Sequence, residues 1–244
     1  MRQRELRERV CEVNRRLDRE GLVVLSFGNA SGVDRDAGVF AIKPSGVDYD
    51  TLRPEDIVLV SLEDGRVVDG DARPSSDTPT HLVLYRSFPN VGGIIHTHSV
   101  HATSWAQAGR DIPCFGTTHA DHFQGAVPVT RLLTERETAV DYELSTGNVI
   151  VECFGVRELD PDRIPACLDQ GHGPFAWGPS PEKALENAIA LEHVAALALN
   201  TLILAPERAP IPDVLLNKHF LRKHGPAAYY GQDHALPSTP NQDP

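Results

Sequence analysis

The sequence predicts a single α/β domain that covers residues 1–231. Its 244 residues fit one large domain or two small ones, at roughly 150 residues per domain. Short runs rich in β-branched residues alternate with stretches of helical periodicity. No internal repeat and no linker of domain-boundary length interrupts this alternation, so one domain is the simplest interpretation. The segment 232–244, rich in proline and polar residues, is predicted to be a disordered tail.

The first part of the chain is predicted to hold one helix, three strands and a hairpin. Apolar residues at helical spacing predict the helix over 3–20: Leu6, Val10, Val13 and Leu17. Gly21 is the signal that ends it. Strands are predicted over 22–25, 39–42 and 57–61. Asp64-Gly65 predicts a hairpin turn from the last of these into Val67-Val68.

Helices and strands continue to alternate in the rest of the chain. Thr78 is predicted to cap a helix with Pro79 in its first turn that continues to Phe88. The remaining strands are predicted over 91–98, 127–129, 148–154 and 175–177. The remaining helices are predicted over 101–108, 181–204 and 215–224, the second of them capped by Ser180.

Composition and charge exclude several classes of partner and location. A formal net charge of −11 disfavours binding to nucleic acid or to anionic membranes. The most apolar segment, 188–205, contains Glu192 and His193, so a buried helix of a soluble protein is expected and not a membrane span. The first ten residues are highly charged and lack the apolar core of an export signal. The 4 cysteines are far apart and form no C-x-x-C motif, which favours the reducing cytoplasm.

The histidines suggest a metal site. His96-Thr97-His98 follows the apolar run of a predicted strand, where residues i and i+2 point to the same face. In a chain with 11 histidines, a bare H-x-H pair is more often structural than metal-binding. His172, on a glycine-rich turn, is a candidate third ligand. Three neutral histidines with an open position form a Lewis-acid site for zinc, with manganese or cobalt as substitutes.

Small polar loops are candidates for phosphate binding. Ser75-Ser76-Asp77 is by itself more typical of a helix N-terminus, but its amides and hydroxyls could also hold a phosphate. Gly28-Asn29 and Ser45-Gly46 are turn dipeptides that follow β-rich runs, where ligand-binding loops are common. With Lys43, these loops could surround one phosphate. No dinucleotide-binding or P-loop motif is present.

Candidates for acid–base chemistry are found in two further segments. Residues 117–122 form either a solvated loop or a source of a general acid or base, for which Asp121 is the best candidate. Tyr229-Tyr230 could be a packing pair or could supply a phenolic acid beside a metal. No G-x-S-x-G motif occurs and no cysteine has a persuasive histidine partner, so covalent nucleophilic catalysis is unsupported.

Taken together, these stretches resemble the class II aldolase family, in its branch of L-ribulose-phosphate 4-epimerases. The resemblance covers residues 1 to about 231, and all of the matching motifs occur in order. They are FGNASGVDR, IKPSGVDY, RPSSDTPTH, GGIIHTHS, WAQAG, GTTHAD, GNVIVE, HGPFAWG and LRKHGPAAYYGQ. The resemblance implies a three-layer α/β/α fold with a largely antiparallel central sheet. It also implies a homotetramer with its active sites between subunits, and a role in arabinose or ascorbate catabolism.

The resemblance further implies a role for each matching residue. His96, His98 and His172 would bind zinc, and Asp77 would lie beside or on the metal. The substrate-binding residues would be Gly28, Asn29, Lys43, Ser45, Gly46, Ser75, Ser76 and His219. Asp121 and Tyr230 would be the acid–base pair, supplied by the neighbouring subunit. The sequence departs from the family pattern at 168–171, directly before His172, where the epimerases carry a more apolar run and then His-Ser.

The activity implied is the inversion of C4 in a ketopentose phosphate by cleavage and re-formation of its C3–C4 bond, which would interconvert L-ribulose 5-phosphate and D-xylulose 5-phosphate. An aldolase or sugar-phosphate lyase of the same family is the first alternative. The fuculose-phosphate aldolase branch carries Glu at the position of Asp77, so the aspartate favours the epimerase. A non-catalytic domain of the adducin type is the second alternative. Such domains lack the metal ligands that are intact here.

Overall fold

A computed structural model describes residues 1–226 and 228–229. Its helices are α1 (Arg4–Arg19), α2 (Thr78–Ser87), α3 (Val100–Ala108), α4 (Thr117–Ala120), α5 (Glu135–Val140), α6 (Tyr142–Val156), α7 (Pro181–Leu204) and α8 (Asp213–His224). A single 3-10 turn spans Pro54–Asp56. The strands are β1 (Asn29–Asp34), β2 (Val39–Ile42), β3 (Val58–Ser61), β4 (Val67–Asp69), β5 (Gly93–His96), β6 (Ala166–Asp169) and β7 (Gly173–Gly178).

The strands form one sheet in the order β4-β3-β2-β1-β5-β7-β6. Every pair of neighbouring strands within it is antiparallel. The pairing of β1 with β5 places Asn29 directly opposite His96, and the pairing of β5 with β7 places Phe175 on the other side of His96. This register brings residues that are distant in sequence together at one end of these three strands.

Helices cover both faces of the sheet because successive strand residues point to opposite sides. Ile95 and Ala176 pack with α1, α3 and α7 in one apolar cluster. Ile94 and Phe175, each one residue earlier, pack with α2 and α6 in another. The result is three layers around an antiparallel sheet, so the predicted fold class is confirmed.

Helix α7 is long enough and apolar enough to span a membrane, the only such helix among the described residues. It lies against β5 and β7, and the face that it turns to them is buried. Ser180 caps its N-terminus by accepting a hydrogen bond from the Lys183 amide, as the sequence predicts. The expected buried helix is thus buried on one face only, and Leu197 and Ile203 are exposed.

The strand predicted over 148–154 is wrong: the segment lies within α6. Its run of β-branched residues favours a strand locally, yet its buried positions recur at helical spacing. They are Thr146, Gly147, Val149, Ile150, Cys153 and Phe154. Packing of this stripe against α2 overrides the local preference.

The strand predicted over 22–25 is also wrong. Leu22 and Val23 are buried, but Leu25 has a positive φ of 56° and an exposed side chain, so the chain turns here. Residues 127–129 form only isolated bridges, through Val127 to Ile112 and through Val129 to Leu168.

Three other features of the secondary structure differ from the prediction. Thr78 is the first residue of α2 and not its cap; its hydroxyl donates to the Ser75 carbonyl, at 2.6 Å. The cap position belongs to Asp77, whose side chain is engaged elsewhere. Strands β1 and β6 were not predicted from the sequence. Asn, Gly and Asp in β1, and Ala and Asp in β6, are depleted in strands, so pairing with neighbouring strands defines both.

Candidate metal centre and substrate pocket

A cavity of about 340 Å³ opens at the end of the central strands, where β5 ends and β7 begins. Its lining includes eleven of the predicted site residues: Gly28, Asn29, Lys43, Ser45, Gly46, Ser75, Ser76, Asp77, His96, His98 and His172. Segments from five separate parts of the chain therefore meet in one pocket. Neither Asp121 nor His219 lies among the lining residues.

The three predicted metal ligands converge in this pocket. One nitrogen each of His96, His98 and His172 lies within 4.8 Å of the other two. The Nε2 atoms of His96 and His98 are 3.2 Å apart, close to the spacing of about 3.3 Å that two ligand nitrogens show around tetrahedral zinc. His96 is the last residue of β5, and His98 lies just beyond the strand.

Hydrogen bonds on the far side of two rings orient them toward this centre. The Nδ1 of His96 lies 3.1 Å from the Pro174 carbonyl oxygen, and the Nδ1 of His172 lies 3.1 Å from Asp169 Oδ2. Both partners accept a hydrogen bond from Nδ1–H, so the lone pair is left on Nε2. The His96 ring also stacks on Phe175, with ring centroids 4.2 Å apart. Such outer partners are typical of metal-binding histidines.

The electrostatics of the pocket favour the neutral form of two of the three histidines. Burial lowers the pKa of His96 to about 3. Burial, together with the nearby His172, also lowers the pKa of His98. Metal binding requires neutral imidazoles, and three imidazole rings whose ligand atoms converge are a suitable donor set for a divalent ion of the zinc type. The residues therefore fit the metal that the sequence predicts.

Asp77 lies beside the histidine cluster and is held by Asn29. The Asn29 Nδ2 donates to Asp77 Oδ2 at 2.6 Å and to Ser75 Oγ at 3.0 Å. Burial raises the pKa of Asp77, but His96, His81 and the bond from Asn29 outweigh this and hold the pKa below its ordinary value. The Asn29 Oδ1 has no partner among the described residues, so it can accept a hydrogen bond from a ligand.

The backbone at Gly28 explains how β1 approaches the ligand strand. Gly28 has a φ of +92°, and a Cβ there would lie 2.6 Å from the His96 carbonyl oxygen. Only glycine combines this conformation with such a close approach. Gly28 thus places Asn29 opposite the first ligand.

The two serine loops lie side by side. Pro44 and Pro74 form an isolated antiparallel bridge. The Ser45 amide donates to the Arg73 carbonyl at 2.9 Å, and the Ser75 amide donates to the Lys43 carbonyl at 3.0 Å. Ser45 and Ser75 consequently both line the cavity.

Lys43 is 1% exposed, and its Nζ lies 4.7 Å from the centre of the Tyr49 ring. The Nζ also donates to the Pro44 carbonyl at 3.4 Å. Burial lowers the pKa of Lys43 to about 8, although Asp48 opposes the shift. Within the described part of the chain, no carboxylate lies in hydrogen-bond contact with this buried ammonium, which makes it well suited to an anionic ligand.

Asp121 belongs to a separate cluster at the end of α4. It accepts hydrogen bonds from His219 Nδ1 at 3.0 Å and from Arg222 Nη2 at 3.0 Å. Burial raises the pKa of Asp121, but the bonds from Arg222 and His219 outweigh this and lower it below the ordinary range. Tyr230, the predicted partner in acid–base chemistry, lies outside the described residues.

Two residues of the pocket, Tyr142 and Glu143, were not predicted from the sequence. Both lie in the first turn of α6, and the Tyr142 ring centre is 5.9 Å from that of His172. Asp141, at the N-cap position of α6, could have indicated that a helix starts at Tyr142. The strand predicted over part of the same segment led to the opposite interpretation.

Comparisons with known proteins agree with this arrangement. L-ribulose-5-phosphate 4-epimerase UlaF of Salmonella paratyphi C (strain RKS4594) is 51% identical over 228 residues, which cover 93% of this chain and 99% of that protein. The protein of the same name from Salmonella typhi is also 51% identical over 228 residues, with the same shares covered.

Solved structures share the fold at lower identity. An L-fuculose 1-phosphate aldolase superposes with a TM-score of 0.76 at 23% identity, covering 90% of this chain and 96% of its own. YgbL from Klebsiella pneumoniae, described as a putative aldolase/epimerase/decarboxylase, superposes with a TM-score of 0.70 at 24% identity, covering 89% of this chain and 99% of its own.

A family model also matches most of the chain. The model described as the class II aldolase and adducin N-terminal domain matches residues 8–199, which include all three histidines of the cluster. The chain belongs to the class II aldolase and adducin N-terminal domain family.

Proposed function

We propose that this protein is a metal-dependent isomerase that interconverts L-ribulose 5-phosphate and D-xylulose 5-phosphate by inverting C4. The observation that carries the proposal is one pocket in which three histidines face two serine loops and a buried lysine. A sugar phosphate has an anionic phosphate and several sugar oxygens. The serine loops and the lysine suit the phosphate, and a metal on the histidines suits the sugar oxygens. The 51% identity to proteins named L-ribulose-5-phosphate 4-epimerase supports the same substrate.

His96, His98 and His172 would hold the ion, with zinc as the first choice and manganese or cobalt as substitutes. A bound divalent ion supplies Lewis-acid stabilisation of negative charge on substrate oxygens. Asp77 contributes a carboxylate beside the cluster, and Asn29 keeps that carboxylate in place through its amide. The Oδ1 of Asn29 remains available for a substrate hydroxyl.

The serine loops and Lys43 would bind the phosphate. Ser45 and Ser75, which line the cavity, would supply hydroxyls, and Lys43, which also lines it, would supply a positive charge. This contact has a mechanistic purpose, because cleavage of the C3–C4 bond releases a two-carbon aldehyde that carries the phosphate. Retaining the phosphate lets the aldehyde rotate and present its opposite face without leaving.

Inversion then requires two proton transfers at the C4 oxygen. A base removes the C4 hydroxyl proton, the C3–C4 electron pair passes to the three-carbon fragment, and the C4 carbonyl forms. In the reverse sense on the opposite face, the C3–C4 bond re-forms and an acid returns a proton to the C4 oxygen. Asp121 and Tyr230 are the proposed pair, each acting on one of the two faces.

The positions of Asp121 and His219 outside the pocket of their own chain support active sites formed between subunits. A homotetramer would bring the Asp121 cluster of one copy to the metal pocket of the next by a head-to-tail contact that closes into a ring. We place this enzyme in the cytoplasm, in accordance with its reduced cysteines.

A coupled assay with both sugar phosphates tests the proposed reaction. We expect interconversion in both directions, loss of activity on chelation, and recovery when zinc is restored. Release of the two-carbon aldehyde phosphate without its re-addition would favour the aldolase alternative. Absence of turnover in metal-loaded protein would contradict both the epimerase proposal and the aldolase alternative.

Mixed oligomers test the shared active site. His96→Ala and Asp121→Asn should each be inactive alone, the first without metal and the second with it. Random mixing of the two variants in one ring should restore about a quarter of the sites, each combining intact histidines from one subunit with Asp121 from its neighbour. No recovery after confirmed subunit exchange would place all catalytic groups of a site in a single chain.

A further inference from the structure

The turn between β6 and β7 sets Asp169 against a proposed metal ligand. Asp169 ends β6, and its carbonyl accepts a hydrogen bond from the His172 amide at 3.0 Å. Gly171 occupies the third position of this turn with a φ of +80°, as a type II turn requires. The turn folds the Asp169 side chain back toward the His172 ring. It is the segment in which the sequence departs from the family pattern.

Asp169 is a buried carboxylate with a partner on each oxygen. It is 2% exposed. Its Oδ2 lies 3.1 Å from His172 Nδ1, and its Oδ1 accepts from Thr130 Oγ1 at 3.2 Å. Burying a carboxylate is costly unless its oxygens are hydrogen-bonded, and both of these are.

The two oxygens have separable roles. Thr130 joins its own segment of the chain to the end of β6. Its hydroxyl donates to Asp169 Oδ1 and accepts from the Gln170 amide at 3.0 Å. That link needs only Oδ1. The other oxygen is directed to the ring nitrogen opposite the metal-facing nitrogen of His172, which a purely structural role does not require.

A carboxylate on this nitrogen differs from the partner of His96. The Pro174 carbonyl is a neutral acceptor for His96, whereas Asp169 brings a negative charge. A charged acceptor holds the proton on Nδ1 more firmly, fixes the ring orientation and makes the free Nε2 a stronger donor to a cation. Its charge also attracts the cation directly.

We infer that Asp169 is a positioning residue that strengthens metal binding through His172. The inference rests on the metal site of the proposed function, and it does not depend on which sugar phosphate is converted.

Zinc affinity of the metal-stripped, full-length protein tests the inference, measured by competition with a chromophoric chelator. Removal of the acceptor in Asp169→Ala should weaken zinc binding about 10- to 100-fold. Asp169→Asn keeps the shape and a neutral acceptor, so it should bind more weakly than the wild type and more tightly than Asp169→Ala. In the cobalt-loaded protein, Asp169→Asn should also shift the visible absorption bands, which a change confined to the Thr130 contact would leave unchanged.

Asp111→Asn is the matched control. Asp111 is a partly buried carboxylate that pairs with Arg157 and accepts from the Val129 amide at 2.9 Å, away from the histidines. Its substitution should lower stability and leave zinc affinity unchanged.

Three results would overturn the inference. Wild-type affinity in a folded Asp169→Ala protein would show that the carboxylate does not serve the metal. If that variant does not fold, wild-type affinity and an unshifted cobalt spectrum in Asp169→Asn would lead to the same conclusion. Absence of zinc binding by the wild type would instead reject the metal site itself, and the inference with it.

Discussion

Lys43 is expected to reduce the stability of the folded protein at neutral pH, so its replacement by an apolar residue should stabilise the fold. The residue is 1% exposed, and burial lowers its pKa from 10.5 to about 8. At about 1.4 kcal/mol for each pH unit, this difference corresponds to a penalty of about 3 kcal/mol for the buried ammonium. Lys43→Met keeps most of the apolar stem and removes the charge, so unfolding should cost about 3 kcal/mol more at pH 7.

The sign of the pH dependence follows from the same two pKa values. Below pH 8 the lysine is protonated in both the folded and unfolded protein, and the whole penalty is present. Between pH 8 and 10.5 the folded protein has released a proton that the unfolded chain still holds, so stability rises with pH. At pH 10 the remaining penalty is about 1 kcal/mol. The advantage of Lys43→Met over the wild type should shrink by about 2 kcal/mol between pH 7 and pH 10.

Urea unfolding of the metal-free proteins at matched concentration measures this difference. Lys43→Arg is the control, because arginine stays charged at both pH values and its stability relative to Lys43→Met should not change. A Lys43→Met protein that is less stable than the wild type at pH 7, or an advantage that is equal at both pH values, would refute the reasoning. The same variant should raise the KM for a sugar phosphate about 10- to 100-fold, because it removes a charge-assisted hydrogen bond to the phosphate.

Three further outcomes are expected. Gly28→Ala should lower the melting temperature and the zinc content, because its Cβ would lie 2.6 Å from the His96 carbonyl oxygen. Gly38→Ala, at a φ of +66° in open space, should cost only about 1 kcal/mol, and equal losses in both variants would contradict the steric explanation. Glu192→Gln should destabilise the protein by about 1–2 kcal/mol in thermal unfolding, since its carboxylate accepts from two amides at the start of α3, and an unchanged melting temperature would argue against that cap. His98→Ala should reduce bound metal well below one ion per subunit by elemental analysis, and full retention would show that the ligand assignment is wrong.

Strong periodicity and explicit end signals made much of the fold predictable. The helices α1 and α7 and the strand β2 lie within one or two residues of their predicted bounds, because their apolar patterns and flanking residues agree with their packing. Helix α6 was missed because its β-branched residues favour a strand locally, and only its packing against α2 selects the helix. Strand β1 was missed for the opposite reason, since its polar and small residues show no strand preference of their own.

The sequence by itself determined the chemistry that is available: two histidines at strand spacing, a third on a turn, and short polar loops typical of phosphate binding. Local spacing is sufficient for these features, because the geometry of a few bonded residues sets which side chains share a face. Only the tertiary structure decided which of them meet. The pairing of β1 with β5 sets Asn29 beside His96, the β6–β7 turn directs Asp169 to His172, and α8 holds Asp121 away from the pocket. Such contacts depend on strand register and packing between segments far apart in the chain, and no local pattern encodes them.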